Sequence, residues 1–371
     1  MIDPAGISRS KTKLLFFYFG GENFRYGVAQ VFLHVLNGLD KTKFEPYLVV
    51  TGRLASPIHG LSEDVHVVEL NKPGLKKSLF SYVATIRRIN PDVIVSAMEH
   101  PNVISVLARW LSGVKAKLIL TSHGVLSARI AHMWAKKEGL IISTAVKMLY
   151  PFADHLVGVS RYVRDDLLKF TNKLPPSTVI YNPVFPEGAR REILPAEKEK
   201  GLIVTSSRLA ALKCIDEAVR ALQYLDEGYR LVVLGDGPEL ARLQTLVGQL
   251  GLKARVDFVG YVDDPFYWYG LAEFLVHPSM WEGFGNVLIE AMACGCQVVA
   301  NVDAGAPAEV LGYGEFGYLY NGGDPENLAM KILEANENPK NIQLLYEYAK
   351  SFSDEVVAKK YEKVFDDLLS D

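Results

Sequence analysis

Glu282 and Glu290 stand eight residues apart in Trp281-Glu-Gly-Phe-Gly-Asn-Val-Leu-Ile-Glu290, around a short glycine loop. An apolar run, Phe274 to His277, precedes the loop and reads as a buried strand. A brief helix ending at Gly295 and a strand from Gln297 to Ala300 follow it. Gly283 and Gly285 leave main-chain N–H groups uncovered where the helix begins. Those groups and the positive end of the helix dipole favour an anion, above all a phosphate. Carboxylates flanking an anion hole are poor partners for phosphate but good acceptors for hydroxyls. Amides for phosphates and acids for hydroxyls together suit a nucleotide sugar.

A second group of charges precedes this one. Arg208, in Ser207-Arg208-Leu209, and Lys213 five residues later fall in a loop between a buried strand and a helix. A guanidinium fork and an ammonium point charge on one loop can hold a single diphosphate. Gly235-Asp-Gly-Pro238 marks a tight strand-to-helix turn, for which a structural role is expected. Near the amino terminus, Gly20 and Gly21 end the first strand and allow close approach of the backbone to a diphosphate. His123, in Thr121-Ser-His-Gly124, also sits at a strand end.

These residues are carried by short apolar runs that alternate with helix-period segments. Strands are expected at Leu14–Phe19, Tyr47–Val50, Val65–Leu70, Val93–Ser96, Leu118–Thr121 and Leu156–Val159, then at Leu202–Ser206, Leu231–Leu234, Arg255–Val259, Phe274–His277 and Gln297–Ala300. The last of these is expected to complete the second sheet. Helical faces appear at Val28, Val31, Phe32, Val35, Leu36 and Leu39, at Leu79, Tyr82, Val83, Ile86 and Ile89, and at Ile215, Val219, Leu222 and Leu225. Pro238 is expected to open a helix that Gly251 closes. Such alternation predicts parallel sheets covered by helices. Asn182-Pro183 through Lys200, with its prolines and charged run, reads as a linker. The expectation is an α/β chain of two doubly wound, Rossmann-like domains facing each other across a cleft, residues 1–184 and 185–353. Ligands of open parallel sheets bind beyond the carboxyl ends of the strands, where every motif above falls.

Composition bounds the partners. The chain has 371 residues, 49% of them hydrophobic, enough for two domains of ordinary size. No apolar run reaches the ~18 residues of a spanning helix, and Asp3-Pro4 followed by a polar stretch does not read as a secretion signal. Cys214, Cys294 and Cys296 read as reduced thiols of a cytosolic protein. Residues 1–184 carry 23 Lys and Arg against 13 Asp and Glu, whereas the remainder carries 17 against 30. A basic first half suits an anionic bilayer or a phosphorylated acceptor, although two domains of opposite charge can also simply complement each other. Lys76, Lys77, Arg87 and Arg88 surround one amphipathic helix; Arg129 to Tyr150, with Trp134, Lys136, Lys137 and Lys147, forms another basic segment.

Glu282-x7-Glu290 with its Glu-Gly-Phe-Gly lead-in resembles the donor-site signature of retaining GT-B glycosyltransferases of family 4. Ser207-Arg208-Leu209, Lys213, Gly235 to Pro238, Phe258-Val-Gly-Tyr261 and Gly305-Ala-Pro-Ala-Glu309 occur in that family's order and spacing, over roughly residues 200 to 320. The resemblance implies a UDP-sugar donor, no metal cofactor, and transfer of a hexose or N-acetylhexosamine to a growing glycan, with a lipid-linked acceptor expected. It implies that Arg208 and Lys213 bind the diphosphate and that Glu282 faces the donor sugar's hydroxyls. Glu290 would accept from the ribose. Phe284, Gly285 and Asn286 would offer main-chain amides to sugar or diphosphate. The segment Tyr261-Val262 would read a uracil-sized base, and His123 would meet the sugar near its reacting carbon. Glu22 and Arg25 would touch acceptor or phosphate, and a last helix from Asp354 to Leu369 would pack on the first domain. Cys214 stands where the family usually has glycine. The acidic pairs Asp165-Asp166 and Asp263-Asp264 lack the Asp-x-Asp spacing of metal-dependent transferases. A place on the cytoplasmic face of the membrane, and no nucleic-acid partner, are expected. The alternative is a nucleotide-sugar epimerase of the same fold. A nicotinamide dehydrogenase would need Gly-x-Gly-x-x-Gly after the first strand, which is missing, and a non-catalytic carbohydrate-binding subunit would have no use for the four charged residues together.

Overall fold

The computed structural model describes residues 11–21, 27–72, 74–132, 135–184 and 198–370. The chain forms two compact units, one of Met1–Val159, Val163–Pro183 and Asp354–Asp371, the other of Ser160–Tyr162 and Val184–Ser353.

The first unit is built on β1 (Thr12–Tyr18), β2 (Phe44–Val50), β3 (His66–Glu69), β4 (Val93–Ala97), β5 (Lys117–Ser122), β6 (His155–Gly158) and β7 (Ser177–Val179). They pair in the order β3-β2-β1-β4-β5-β6-β7, parallel throughout. A sheet covered on both faces needs continuous apolar strands, and Leu14 to Phe17 supply one. Leu14 and Phe16 enter one core cluster, Leu15 and Phe17 the other, as the two-residue period of a strand requires. The helix Asp354–Ser370 adds Val357, Tyr361 and Phe365 to the first cluster. It lies against the helix Val28–Gly38, so close that a Cβ on Gly38 would stand 2.5 Å from the Asp354 carbonyl oxygen.

The second unit holds β8 (Glu199–Ser206), β9 (Arg230–Leu234), β10 (Val256–Gly260), β11 (Ala272–His277), β12 (Gln297–Asn301) and β13 (Tyr318–Tyr320). Their order is β10-β9-β8-β11-β12-β13, again parallel throughout. The sheet therefore does not end at the Gln297 strand; β13, only three residues long, is too short to show a period. Pro238 does not open a helix either. It lies in a turn, where Glu239 N–H donates to the Leu209 carbonyl at 3.1 Å, and the helix is Leu240–Gln249.

Both sheets reverse their winding once, between β1 and β4 and between β8 and β11. These switch points are where loops diverge and leave room for a ligand. Gly20-Gly21 follow β1; Arg208 and Lys213 follow β8, and Glu282 follows β11. The central part of the expected linker, residues 185–197, lies outside the described residues, as do Glu22, Arg25 and Trp134. No helix among the described residues is long and apolar enough to cross a membrane.

Candidate functional site

In the second unit the Arg208 loop is fixed from below. Ser207 N–H donates to the Leu234 carbonyl at 3.0 Å and Leu209 N–H to the Asp236 carbonyl at 2.9 Å. A Cβ on Gly235 would stand 1.9 Å from the Ser207 carbonyl oxygen, and one on Gly237 2.3 Å from that of Leu209. Gly235-Asp-Gly-Pro238 is thus the support on which the Arg208 loop rests. The Arg208 side chain is exposed, and its guanidinium has no hydrogen-bond or ion-pair partner among the described residues. Lys213 closes a single 3₁₀ turn, Ala211–Lys213, and Cys214 then takes φ 49° and ψ 36° to enter the helix Ile215–Ala221. That left-handed conformation explains why glycine suits the position. Burial, with Glu217 and Asp216 nearby, raises the Cys214 thiol to about 11, so it is not a nucleophile.

The neighbouring strands bring the two loops together. Met280 N–H donates to the Leu212 carbonyl at 2.8 Å, and the Lys213 Nζ reaches Glu282 Oε2 at 2.5 Å. Glu282 N–H is held by the Ala304 carbonyl at 2.9 Å. His277, at the end of β11 and only 3% exposed, places Nε2 3.6 Å from the same Glu282 oxygen, too long for a hydrogen bond. Burial alone would raise the Glu282 carboxyl; the Lys213 ammonium and the adjacent His277 overcome it and hold the group well below the usual carboxylate range. Burial in turn lowers His277, with Glu282 opposing the shift. His277, next to Pro278 at the strand end, thus backs the site acid.

Beyond Glu282 the chain turns through Gly285, at φ 91°, into the helix Asn286–Ala293. Phe284 is buried, and Ser160 Oγ donates to the Gly283 carbonyl at 2.8 Å. Ser160 belongs to a three-residue excursion into this unit, which Glu309 holds by accepting from Arg161 N–H at 2.9 Å and Tyr162 N–H at 3.2 Å. Glu290 lies one helical turn in. Burial raises the Tyr269 phenol well above its ordinary value, with the Glu290 carboxylate adding to it. Val262 sits in the loop after β10. Glu309 was singled out only as part of a motif; Ser160 and Tyr269 carry no local signal that marks them.

In the first unit, Gly20 and Gly21 pack against the loop after β2. Gly52 N–H donates to the Gly20 carbonyl at 2.9 Å, and a Cβ on Gly21 would stand 2.7 Å from Gly52 Cα. Gly21 is therefore needed for backbone-to-backbone contact whatever the pair binds. Beside it is a groove of ≈ 1120 Å³ to which Arg53 and Lys72 contribute. His123 follows β5. Thr121 Oγ1 donates its one proton to the Ser96 carbonyl at 3.0 Å, so at 2.8 Å it accepts from His123 Nε2–H. This assigns the tautomer and leaves Nδ1 as an acceptor, buried with no partner among the described residues. Burial and the positive Arg129 lower His123 to about 3. Arg129, paired with Glu99 at 2.7 Å, occupies the space a side chain at residue 124 would need.

Arg208, Lys213, Glu282 and the Gly283–Glu290 segment thus share the second unit, whereas Gly20, Gly21 and His123 belong to the first. Among the described residues, no three His, Cys, Asp or Glu side chains come together in a way that would hold a metal ion.

Residues 26–187 match the family model described as Glycosyltransferase Family 4, and residues 187–352 match that of Glycosyl transferases group 1. The N-acetylgalactosamine-N,N'-diacetylbacillosaminyl-diphospho-undecaprenol 4-alpha-N-acetylgalactosaminyltransferase of Campylobacter jejuni is 28% identical over 290 residues, 75% of this chain and 78% of its own. The N-acetyl-alpha-D-glucosaminyl L-malate synthase of Bacillus anthracis is 24% identical over 318 residues, 81% of each. Among solved structures, sucrose-phosphate synthase from Thermosynechococcus elongatus superimposes with a TM-score of 0.79 at 19% identity, covering 97% of this chain and 100% of that one. Anabaena HepE in complex with UDP and glucose does so with a TM-score of 0.77 at 19% identity, covering 96% and 100%. The two matched models are contiguous, the fold agrees over nearly the whole chain, and the protein belongs to the group 1, family 4 glycosyltransferases of GT-B fold.

Proposed function

We propose that the protein is a retaining, metal-independent glycosyltransferase. It moves a hexose or N-acetylhexosamine from a UDP-sugar to a hydroxyl of a growing, lipid-linked glycan on the cytoplasmic face of a membrane. The observation that carries this reading is the loop pair at the β8/β11 switch point: an open Arg208 guanidinium, and Lys213 already ion-paired with Glu282. Support for the donor comes from Anabaena HepE, solved with UDP-glucose, and from Staphylococcus aureus TarM, solved with UDP and alpha-GlcNAc-glycerol. Support for the acceptor comes from the diphospho-undecaprenol in the Campylobacter enzyme's name. Arg53 and Lys72 beside Gly20-Gly21 are suited to a diphosphate of that kind.

In this mechanism Arg208, Lys213 and the amides of residues 284–286 stabilise the charge that grows on the departing diphosphate. Donor binding draws Lys213 toward the phosphate, freeing Glu282 to accept from sugar hydroxyls, while Glu290 accepts from the ribose and Tyr261-Val262 frame the base. His123 accepts a sugar hydroxyl through Nδ1. The acceptor hydroxyl enters on the face the diphosphate leaves. The bond from C1 to the diphosphate oxygen breaks, the bond from C1 to the acceptor oxygen forms, and the hydroxyl proton passes to the departing phosphate oxygen. An alpha product from an alpha-linked UDP-sugar is retention, and alpha linkages stand in both relatives' names.

The test is nucleotide release from a panel of UDP-, GDP- and ADP-sugars in EDTA, with and without membrane lipid extract. UDP release that rises with the lipid extract supports the reading. Turnover of only GDP- or ADP-sugars, or none until a metal is restored, overturns it.

A further inference from the structure

The helix Lys136–Leu149 in the first unit is amphipathic in an unusual sense. It docks through Gly139, Ile142 and Val146, which are buried. Its outward face carries Leu140 at 68% exposure, Ile141 at 60% and Met148 at 64%. Met148 follows Ile141 by seven residues and Leu140 by eight, two helical turns, which puts the three on the side away from the buried residues, with Lys136, Lys137 and Lys147, all exposed, along the same side. Past the helix end, Phe152 is 58% exposed and stacks on Trp110, 77% exposed, with ring centroids 6.2 Å apart. The Phe152 carbonyl accepts from Arg109 Nη2 at 2.5 Å, fixing the ring pair to the helix Glu99–Ser112. Isolated exposed apolar residues are ordinary, but several on one helix face with lysines beside them, and an exposed aromatic pair past the helix end, mark an interaction surface.

We infer that this face inserts into the interfacial layer of an anionic bilayer, with Leu140, Ile141, Met148, Trp110 and Phe152 in the acyl boundary and Lys136, Lys137 and Lys147 among the headgroups. The inference deepens the functional reading above, whose acceptor is lipid-linked, by naming the surface and its mode of contact. The lysines choose the occupant. In a two-fold contact between copies, the same patch faces itself and its positive groups oppose one another; Glu138 is the only acid of the helix. Anionic headgroups complement them instead, and aromatic rings favour the interfacial depth.

The surface also predicts how binding responds to salt. Lysine attraction alone would be screened, whereas the buried apolar stripe would not. The test is sedimentation of the purified protein with phosphatidylglycerol/phosphatidylethanolamine vesicles at low and high salt, with phosphatidylcholine vesicles as the neutral control. Wild type is expected to bind the anionic vesicles and retain part of that binding at high salt. Leu140→Asn/Ile141→Asn is expected to lose about tenfold or more at both salts. Lys136→Glu/Lys137→Glu should lose binding chiefly at low salt. Quenching by brominated lipid should fall in Trp110→Phe. The variants should unfold at the wild-type temperature, since the altered side chains face solvent. Vesicle binding unaffected by the double Asn variant, no binding by wild type, or a wild-type dimer that this variant converts to monomer would each overturn the inference. Donor turnover in EDTA without vesicles is measured in parallel, so failure of the surface and failure of the transferase reading are separable.

Discussion

Lys213 Nζ stands 2.5 Å from Glu282 Oε2, joining the loop after β8 to the loop after β11 across the strand pair where the second sheet reverses direction. The two residues are 69 positions apart in sequence, and parallel pairing of β8 with β11 makes them neighbours. The Arg208 guanidinium, on the same loop as Lys213, has no partner among the described residues. One cation is thus held ready by an acid and the other is open, a division suited to a ligand that carries both a diphosphate and hydroxyls.

The pair should be visible in acid unfolding. Glu282 has a folded value below its unfolded one, so the unfolded chain binds more protons once pH drops below about 4.3. The stability it supplies is full above that value and is lost as pH falls toward the folded value. Glu282→Gln should therefore flatten the acid limb of a stability–pH curve recorded by chemical denaturation. An unchanged limb would show that the carboxylate is not held by Lys213.

His123 makes a prediction of the same sign over another range. Its folded value is lowered to about 3 by burial and Arg129, against about 6.5 unfolded. The unfolded chain takes up the extra proton between these values, so the contribution falls with pH across that window. His123→Gln should remove this part of the slope. Since the ring stays neutral near pH 6.5, an acid limb of kcat/KM centred there should be the same in wild type and variant; its loss in the variant would contradict the neutral assignment.

Much of this architecture was legible in the chain because parallel strands buried on both faces must be continuously apolar, as Leu14–Phe17 and Phe274–His277 are. Loops at strand ends then exposed Arg208, Lys213 and Glu282 as charges with no hydrophobic reason to be there. The partnerships were not legible. Strand order is set by packing, so nothing near Glu282 announces Lys213 or His277, and Ser160 reaches Gly283 from 123 positions away. The helix Glu99–Ser112 is hidden in the sequence for a different reason: Glu99, Asn102 and Ser105 are buried in it, which erases the apolar period. Short β13 has no period to read.

Cys214 offers a stabilising substitution. Left-handed backbone costs a side-chain-bearing residue roughly 1–2 kcal/mol, partly offset by the extra freedom glycine gives the unfolded chain. Cys214→Gly should raise stability by roughly 0.5–1 kcal/mol, measured as the midpoint shift in urea. A loss of stability would mean the thiol's packing outweighs the strain.

Gly235 tests the support beneath Arg208. A methyl there meets the Ser207 carbonyl at 1.9 Å, so Gly235→Ala must displace the loop. Misplacement of about 1 Å at a charge-stabilising group costs on the order of a hundredfold in rate. Turnover should fall by about that factor, and a further Arg208→Ala change should then add little. Independent, multiplying losses would show that the turn does not act through Arg208.

The central claim is that Arg208 and Lys213 stabilise the departing diphosphate without a metal. Its most direct test is kcat for a UDP-sugar, measured in EDTA for wild type, Arg208→Ala and Lys213→Ala, beside the Kd for UDP. The account predicts an active wild type and a fall in kcat of roughly a hundredfold to a thousandfold in each variant, with a much smaller change in Kd. Wild-type activity abolished by the chelator and restored by magnesium would contradict it, as would losses in Kd that match those in kcat.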